Sequence, residues 1–322
     1  MSSGSEKARS NVKGALILLF ASVIWGTSFV AQSQGMERIE AFTFNGIRTL
    51  MGAAFLLIYL FLRRLISGRG LDGAERAARR EKTVRSVKSG MIVGVFLFVA
   101  SNLQQFAFNE TTAGKIAFIT ALYMFFVPVF GLFLGKRPNP LVWVCVSAGF
   151  LGLYFLSIDP AEPWNINRGD FLALLCAIAY AVHILAVEHF AADTDGVTLS
   201  FTQFTVSGVV SCLMMFLFET PSIPDIHAVI LPLLYSGVMS CGIAFTLQVI
   251  GQKYAEATVA SLAMCMESVF GVISAALILG DRMSGRETAG CVLMFAAITF
   301  SQVSDLLWSR IRRRHAGERS VS

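Results

Sequence analysis

The sequence predicts an all-α integral membrane protein in which ten transmembrane helices form two inverted repeats of five helices. Three observations predict this class: the composition, the number of long apolar runs and a weak internal similarity. The chain of 322 residues is 55% hydrophobic and only 15% charged, whereas a soluble domain carries about 25% charged residues. This composition excludes an ordinary soluble globule and favours a protein that crosses the membrane several times.

Ten apolar runs are long enough to cross a bilayer, because about 20 residues of α-helix span its hydrocarbon core. The first run follows three basic residues, as in a signal peptide, but we interpret it as a retained span because it is one of ten similar runs. The ten predicted spans cover residues 14–34, 41–62, 89–108, 115–135, 140–158, 170–188, 198–218, 228–250, 257–279 and 287–308.

The positions of Lys and Arg predict the orientation, because cytoplasmic loops carry an excess of both. With the N-terminus in the cytoplasm, 20 of the 26 basic residues fall on the cytoplasmic side. We therefore predict a multi-pass protein of the cell (plasma or inner) membrane with both termini in the cytoplasm. The connection 189–197 does not follow the rule, since it contains neither Lys nor Arg.

Three polar segments lie outside the predicted spans. Residues 1–12 form a cytoplasmic tail that we expect to be disordered, and residues 309–322 form a basic cytoplasmic tail. The basic segment 63–88 is interpreted as a solvated loop, with a short amphipathic helix on anionic lipid headgroups as the alternative. Nucleic-acid binding is not predicted, because topology already explains basic residues beside spans.

A weak internal similarity divides the ten spans into two halves, 13–158 and 168–308. A shift of 145 residues aligns Phe125 with Phe270 and Leu134-Gly135 with Leu279-Gly280, and a shift of 155 aligns Trp25 with Tyr180. An odd number of spans in each half places the halves in opposite orientations. Inverted repeats are typical of secondary transporters, which bind substrate near the membrane midplane between the halves.

Three ionisable residues stand out inside the predicted spans, where a charge costs at least about 2.5–3.5 kcal/mol. Arg48 is interpreted either as the counter-charge for an anionic substrate group or as a residue that pairs two helices or reaches the interface. Glu267, in the middle of the ninth span, is a candidate for a cavity site, for proton coupling or for a packing hydrogen bond. His183 shares a helix face with Tyr180 and is either a packing residue or a proton relay.

Uncharged polar and aromatic residues recur on several predicted spans. Such groups either join helices or line one shared cavity, and Gln32 and Thr120 belong to this group. The substrate-binding candidates are Trp25, Ser28, Arg48, Asn102, Gln105, Tyr123, Tyr180, His183, Gln248 and Glu267, of which Glu267 and His183 are also the candidates for proton coupling. Glu188 and Gln203 are interpreted as interfacial residues. Pro128 is a hinge candidate, because proline removes one backbone hydrogen bond from a helix, although simple curvature would use it equally well.

Motifs for nucleotide, zinc and dinucleotide binding are missing from the sequence. The six cysteines lie singly inside apolar runs and form no Cys-x-x-Cys pair. We therefore expect no enzyme activity, no cofactor, no metal and no disulfide framework.

Several segments resemble EamA-type members of the drug/metabolite transporter superfamily. These are WGTSFVAQ (25–32), FTFNGIRTLMGAAFL (42–56), the stretch 101–138 and ESVFGVISAALILGDRMSGRETAGCVLMFAAI (267–298). The resemblance covers residues from about 14 to 305. It implies ten helices in two inverted repeats, alternating access and the movement of small metabolites, commonly amino acids and often outward. Trp25, Arg48 and Glu267 match the family's pattern by position.

The sequence departs from the family's pattern at three positions. Ser268 stands where proline usually follows the ninth-span glutamate. Asp281 and Lys136 stand where the family usually has glutamate after Leu-Gly. These departures concern a kink in the ninth span more than the fold.

The predicted function is a secondary active exporter of small metabolites, amino acids among them. The alternative within transport is an uncoupled exchanger or facilitator of phosphorylated or sugar-linked compounds, or drug efflux. An intramembrane enzyme or a channel is a different class, and no catalytic cluster favours an enzyme. The expected partners are a small-molecule substrate, the lipid bilayer and protons, and a homodimer is left open.

Overall fold

The computed structural model describes residues 3–67, 72–111, 113–157, 166–279 and 284–319, and every regular element in these ranges is helical. A π-helix, Tyr235–Ala244, separates α10 from α11. The α-helices are α1 (Ser3–Met36), α2 (Ala41–Ser67), α3 (Gly73–Ala107), α4 (Ala113–Thr120), α5 (Tyr123–Phe133), α6 (Pro140–Ser157), α7 (Arg168–Ala191), α8 (Gly196–Phe218), α9 (Ile223–Ala228), α10 (Ile230–Leu234), α11 (Phe245–Gly251), α12 (Ala257–Met264), α13 (Met266–Leu279) and α14 (Gly285–Arg319).

Within the described ranges, eight helical segments are long and apolar enough to cross a membrane. Pro140–Leu156, the fifth predicted span, is apolar but shorter, and α14 contains the tenth. The eight segments are Ser10–Met36, Ala41–Ile66, Gly73–Ala107, Ala113–Phe133, Arg168–Ala191, Gly196–Phe218, Ile230–Gly251 and Ala257–Ser274. The all-α, multi-pass membrane class is therefore confirmed, and a total of ten spans stays a prediction.

Helices α2 and α8, the second spans of the two halves, pack antiparallel. At one end, the Glu219 carboxylate accepts hydrogen bonds from the backbone N–H groups of Phe42 and Thr43, each at 2.7 Å. At the other end, Arg63 donates to both carboxylate oxygens of Asp195, at 2.9 and 3.1 Å. Each helix therefore begins where the other ends, which is the relation that an inverted repeat predicts.

The ion pair at the second of these ends stays charged at neutral pH. Burial acts to raise the pKa of Asp195, but hydrogen bonds from Arg63 and from Thr198 outweigh it. The pKa of Asp195 therefore lies below its ordinary value. The same carboxylate accepts the N–H of Thr198 at 2.9 Å and so caps the start of α8, where the helix dipole favours a negative charge.

The fifth spans of the two halves, α6 and α14, also pack antiparallel. Asn139, just before α6, donates to Ser304 at 3.3 Å, while Arg286, near the start of α14, donates to the carbonyl of Tyr154 at 3.4 Å. Two of the five equivalent pairs thus run in opposite directions. The inverted relation over all five pairs, and the limits of the halves, stay predictions.

Two spans, the fourth and the ninth, are interrupted near their middle. Ala121 and Leu122 separate α4 from α5, and Cys265 separates α12 from α13. The two interruptions touch, because the Cys265 thiol donates to the carbonyl of Ala121 at 3.5 Å. These two residues are 144 positions apart, close to the shift that aligns the halves. Interrupted helices that meet at mid-membrane are typical of transporter binding sites.

Pro128 lies inside α5 and not at the interruption. Its ring leaves the backbone carbonyl of Met124 without a helical N–H donor. Met124 follows shortly after Ala121 and Leu122, where the helix breaks. The carbonyls of Ala121 and Leu122 accept from N–H groups three residues on, at 3.1 and 2.9 Å, which is the tighter hydrogen bonding of a 3₁₀ turn. A hinge at Pro128 stays a prediction.

The N-terminal segment is helical where disorder was predicted, since α1 begins at Ser3. Tertiary contacts explain the difference. Ser10 donates to the carbonyl of Tyr254 at 2.8 Å, the Lys13 ammonium lies 4.0 Å from the centre of the Tyr254 ring, and Asn11 is buried. The connection between the eighth and ninth spans thus stabilises the start of the first.

Most of the basic segment 63–88 is also helical, so its interpretation as a loop was wrong. Helix α2 continues to Ser67, and α3 begins at Gly73, 16 residues before the predicted third span. Asp72 and Glu75 form a capping box in which each carboxylate accepts the other's backbone N–H, at 2.7 and 3.1 Å. This cap starts a helix rich in Ala, Glu and Arg, which carries the basic residues as an extension of the span.

Replacing Gly152 by alanine tests the packing of α6 against α14. An added Cβ would lie 2.8 Å from the carbonyl oxygen of Gly290, so the helices must move apart. We expect a loss of about 1–3 kcal/mol in the free energy of unfolding, measured by thermal unfolding of the purified protein in detergent. Gly114→Ala is the matched control, because its Cβ meets nothing within 4 Å. Equal stability of the two variants would contradict this account of the helix pair.

Candidate substrate-binding site

A small cavity of about 50 Å³ lies between the two halves of the chain. Helices of the first, second, third, fourth, sixth, eighth and ninth predicted spans contribute to its wall. The lining residues are Trp25, Phe29, Gln32, Arg48, Gln104, Thr120, Tyr123, Tyr180, Ile184, Ser240, Phe245, Gln248, Met264 and Glu267.

Irregular backbone positions several of these residues. Thr120 and Tyr123 flank the interruption of the fourth span, and Met264 and Glu267 flank that of the ninth. Ser240 lies on the π-helix, a form often found at functional sites. Irregular backbone at membrane depth is tolerated where it is buried in protein or lines a cavity, and these segments line this cavity.

Arg48 carries a buried positive charge on the cavity wall. Its side chain is 4% exposed. Nε donates to Oδ1 of Asn45 at 2.7 Å, and Nη1 donates to Oε1 of Gln32 at 2.8 Å. Among the described residues, no carboxylate lies within ion-pair distance of the guanidinium. Neutral oxygen atoms alone therefore hold this cation, although burial without a counter-charge is costly.

A hydrogen-bond network behind Arg48 fixes its orientation. Asn45 donates from Nδ2 to the carbonyl of Ser101 at 2.8 Å and to Oδ1 of Asn102 at 3.1 Å, and Asn102 donates to Ser211 at 2.9 Å. The Ser101 carbonyl can only accept, so the amide of Asn45 must place Nδ2 there. Its Oδ1 is then left for Arg48. The network joins α1, α2, α3 and α8.

Glu267 is the acidic residue on the described part of the cavity wall. It is 7% exposed, and Oε1 accepts a hydrogen bond from the Tyr123 hydroxyl at 3.4 Å. Tyr123 and Glu267 come from the two interrupted spans and are also 144 positions apart. The cavity therefore contains one guanidinium and one carboxyl group that do not pair with each other.

Aromatic side chains form much of the remaining wall. Trp25 packs edge-on against Phe245, with ring centres 4.8 Å apart. Trp25 is buried, and its Nε1 has no hydrogen-bond partner among the described residues. The wall thus offers apolar surface for a side chain together with an unused indole donor.

Six of the ten predicted binding residues meet at this cavity, and four do not. The six are Trp25, Arg48, Tyr123, Tyr180, Gln248 and Glu267. The four are Ser28, Asn102, Gln105 and His183, all of which are buried elsewhere. The helix face explains the difference, because α1 presents residues 25, 29 and 32 and α7 presents residues 180 and 184. Ser28 and His183 lie about 70–80° from the centres of those faces.

His183 lies behind the cavity wall and bonds to a neighbouring helix. Its Nε2 is 3.1 Å from Oε1 of Gln203, and both residues are fully buried. The interpretation of Gln203 as interfacial was therefore wrong. Gln105 is also fully buried, and neither polar atom of its side chain has a partner among the described residues.

The sequence interpretation missed six lining residues: Phe29, Gln104, Ile184, Ser240, Phe245 and Met264. Two of them carried a usable signal. Phe29 lies four residues after Trp25, and Gln104 is adjacent to the predicted Gln105. The other four are apolar or small residues whose position depends on tertiary packing.

A second cavity, of about 510 Å³, lies at the end of the molecule that is predicted to be cytoplasmic. Lys136 at the end of the fourth span forms an ion pair with Glu188 on α7. Glu188 also accepts the backbone N–H of Ala257 at 3.1 Å, at the start of α12. Val127 and Leu185 line this vestibule, one turn from Tyr123 and beside Ile184 of the central cavity. The ion pair and the hydrogen bond to Ala257 therefore tie three spans together at the vestibule.

Comparisons with known proteins agree with this architecture. The model of the EamA-like transporter family matches residues 12–158 and 167–302. Uncharacterized transporters of Archaeoglobus fulgidus and Bacillus subtilis (YoaV) are 24% and 22% identical to the chain. The alignments cover 92% and 89% of this chain and 87% and 96% of those proteins. An uncharacterized inner membrane transporter of Escherichia coli, YedA, is 23% identical over about half of each chain.

A solved structure shares the fold. It superposes with a TM-score of 0.71 at 20% identity and covers 92% of this chain and 98% of its own. The family model matches nearly the whole chain, in two consecutive copies. The resemblance inferred from the sequence segments is thereby confirmed: the chain belongs to the EamA-like transporter family.

Proposed function

We propose that the protein is a secondary transporter that exports small metabolites with a carboxylate group, amino acids among them, by alternating access. The observation that carries the proposal is the guanidinium of Arg48. It is buried on a cavity wall and held by neutral acceptors, and no carboxylate among the described residues pairs with it. A substrate carboxylate supplies the missing counter-charge, and the aromatic wall accepts the apolar part of the substrate.

In the proposed cycle, the two halves are inverted repeats and both termini lie in the cytoplasm of the plasma or inner membrane. The vestibule at the Lys136–Glu188 pair is the cytoplasmic entrance to the central cavity. The interrupted fourth and ninth spans touch at Ala121 and Cys265, so that relative movement of the halves changes the cavity first. Opening on the far side requires separation of contacts such as those of Glu219 with the start of α2.

Glu267 is the proposed proton-coupling group. It lies on the cavity wall and its hydrogen-bond partner, Tyr123, is on the opposing interrupted span. Movement of either span alters that contact, so protonation of Glu267 and the conformation of the carrier are linked. His183 is less suited to this role, because it does not reach the cavity.

The alternative, an exchanger of phosphorylated compounds, is favoured less. A dianionic phosphate is usually bound by several cations. On the described part of the central cavity wall, Arg48 is the one Lys or Arg residue. Lys136 and Arg137 lie at the vestibule instead.

Counterflow in proteoliposomes tests the proposed function. Vesicles are preloaded with a mixture of unlabelled amino acids, and uptake of labelled amino acids is followed with and without a pH gradient. We expect saturable uptake that depends on the preloaded substrate, because a carrier exchanges one substrate for another. Uptake that neither saturates nor responds to preloading indicates a channel instead.

Gln32→Glu tests the role of the Arg48 charge. The new carboxylate replaces an oxygen atom 2.8 Å from Nη1 of Arg48 and thus supplies an internal counter-charge. We expect the half-saturation concentration of the substrate to rise about 10- to 100-fold, the equivalent of one hydrogen bond to a charged group. Thermal stability should not fall, whereas Gln32→Met, which removes the acceptor of Nη1, should lower it. Unchanged substrate affinity in Gln32→Glu would show that Arg48 does not bind the substrate.

Glu267→Gln tests proton coupling. The glutamine amide has the shape of the carboxyl group, but it neither takes up nor releases a proton over the pH range of the assay. We expect transport by the variant to lose its dependence on pH and on an imposed pH gradient, measured as initial rates over a series of external pH values. A variant that keeps the wild-type rate and pH profile would exclude Glu267 from coupling.

A further inference from the structure

The side-chain amide of Gln248 has a fixed orientation on the cavity wall. Gln252, one turn further along, donates from Nε2 to the backbone carbonyl of Ile184 at 2.9 Å. A backbone carbonyl can only accept, so Oε1 of Gln252 must face Gln248. Gln248 then donates from Nε2 to that oxygen at 3.1 Å. These two hydrogen bonds use the Nε2 group of each glutamine, so Oε1 of Gln248 is the side-chain atom that they leave unused.

That oxygen is buried and has no hydrogen-bond partner among the described residues. Gln248 itself lines the central cavity. A buried acceptor without a donor is destabilising, and a methionine of similar shape would avoid that cost. The residue therefore retains an acceptor for which the described protein supplies no donor.

Hydrogen-bonding groups are distributed unevenly around the cavity. The unused donors, Nε1 of Trp25 and the remaining N–H groups of Arg48, lie on the first and second spans. The acceptors, Oε1 of Gln248 and the carboxyl group of Glu267, lie on the eighth and ninth spans. The first and second spans thus carry the unused donors, and the eighth and ninth spans carry the acceptors.

Other polar residues of the wall satisfy each other. Gln104 donates to Thr120 at 3.4 Å and accepts from the hydroxyl of Tyr180 at 3.5 Å. These groups form a closed set and contribute little to substrate selection. By contrast, Oε1 of Gln248 and Nε1 of Trp25 have no partner among the described residues.

We propose that Gln248 is a specificity-determining residue, whose carbonyl oxygen accepts a hydrogen bond from a substrate ammonium group, and that Gln252 positions it. The proposal rests on the proposed function, in which Arg48 binds the carboxylate of the same substrate. Together, the two residues select zwitterions over simple carboxylates of the same shape. Gln252 does not touch the substrate but keeps the acceptor of Gln248, instead of its NH₂ group, toward the cavity.

The test compares amino acids with their deaminated analogues in proteoliposome exchange. Leucine and 4-methylpentanoate form the first pair, because they differ in the ammonium group. Further pairs, such as phenylalanine with 3-phenylpropionate, follow the amino acids that counterflow detects. For the wild type, we expect the amino acid to have a half-saturation concentration at least about tenfold lower than that of its analogue, as one hydrogen bond to a charged group predicts.

Gln248→Met removes the acceptor with little change in shape. We expect it to raise the half-saturation concentration for the amino acid about tenfold and to leave that for the deaminated analogue unchanged. Gln252→Met should produce the same selective change at an unaltered maximal rate, because Gln248 is then free to rotate. The double variant should be no worse than Gln248→Met alone, since both act through one oxygen. Gln105→Met is the matched control, a buried glutamine away from the cavity.

The outcomes separate this inference from the proposed function. Equal affinity of the wild type for the amino acid and its analogue, or an unchanged preference in Gln248→Met, overturns the role of Gln248. Exchange of carboxylates that still depends on Arg48 would, in that case, leave the proposed function standing. Absence of saturable exchange with either member of every pair overturns both.

Discussion

A guanidinium that is buried without an acidic partner among the described residues is the constraint on which the central cavity depends. Removing a charge from water costs several kcal/mol, even after the surroundings relax. Gln32 and Asn45 reduce that cost with two short hydrogen bonds to Arg48, but neither carries a negative charge. The network through Asn102 and Ser211 then has a clear physical role. It keeps oxygen atoms directed at Arg48, so that the cation stays in the cavity wall and does not turn toward lipid headgroups.

The second organising feature is the meeting of two interrupted spans. An α-helix that crosses the membrane unbroken uses nearly all of its backbone hydrogen bonds internally. The breaks at Ala121–Leu122 and at Cys265 relax this demand in the part of the protein that is shielded from lipid. They also place side chains from both halves within reach of each other, since Tyr123 contacts Glu267 and Cys265 contacts Ala121. A small movement of one half relative to the other therefore alters these contacts at the central cavity.

The sequence was sufficient to identify helices and not sufficient to identify helix faces. Length and hydropathy identified the membrane class, and the cost of intramembrane charge drew attention to Arg48 and Glu267, both of which line the cavity. His183 satisfied the same criterion, but it points to a neighbouring helix, since a rotation of 100° per residue separates adjacent faces. Capping was also underestimated. The box at Asp72 and Glu75 starts α3 well before the apolar run begins, and hydropathy alone gives no sign of it.

The charges of the cavity link substrate class to proton coupling. Arg48 is the permanent positive charge of the described cavity wall and Glu267 is its titratable acid, and among the described residues neither pairs with an opposite charge. A zwitterion supplies a partner to both and leaves the total unchanged, which favours an ionised Glu267 in the loaded state. A simple carboxylate supplies a partner to Arg48 alone and adds a negative charge, which Glu267 offsets by taking up a proton. In the proposed transporter, selection of zwitterions by Gln248 and the protonation of Glu267 are therefore linked. Binding of an amino acid should therefore leave fewer protons on the carrier than binding of its deaminated analogue, and proton release or uptake on binding, followed with a pH indicator in weak buffer, measures the difference.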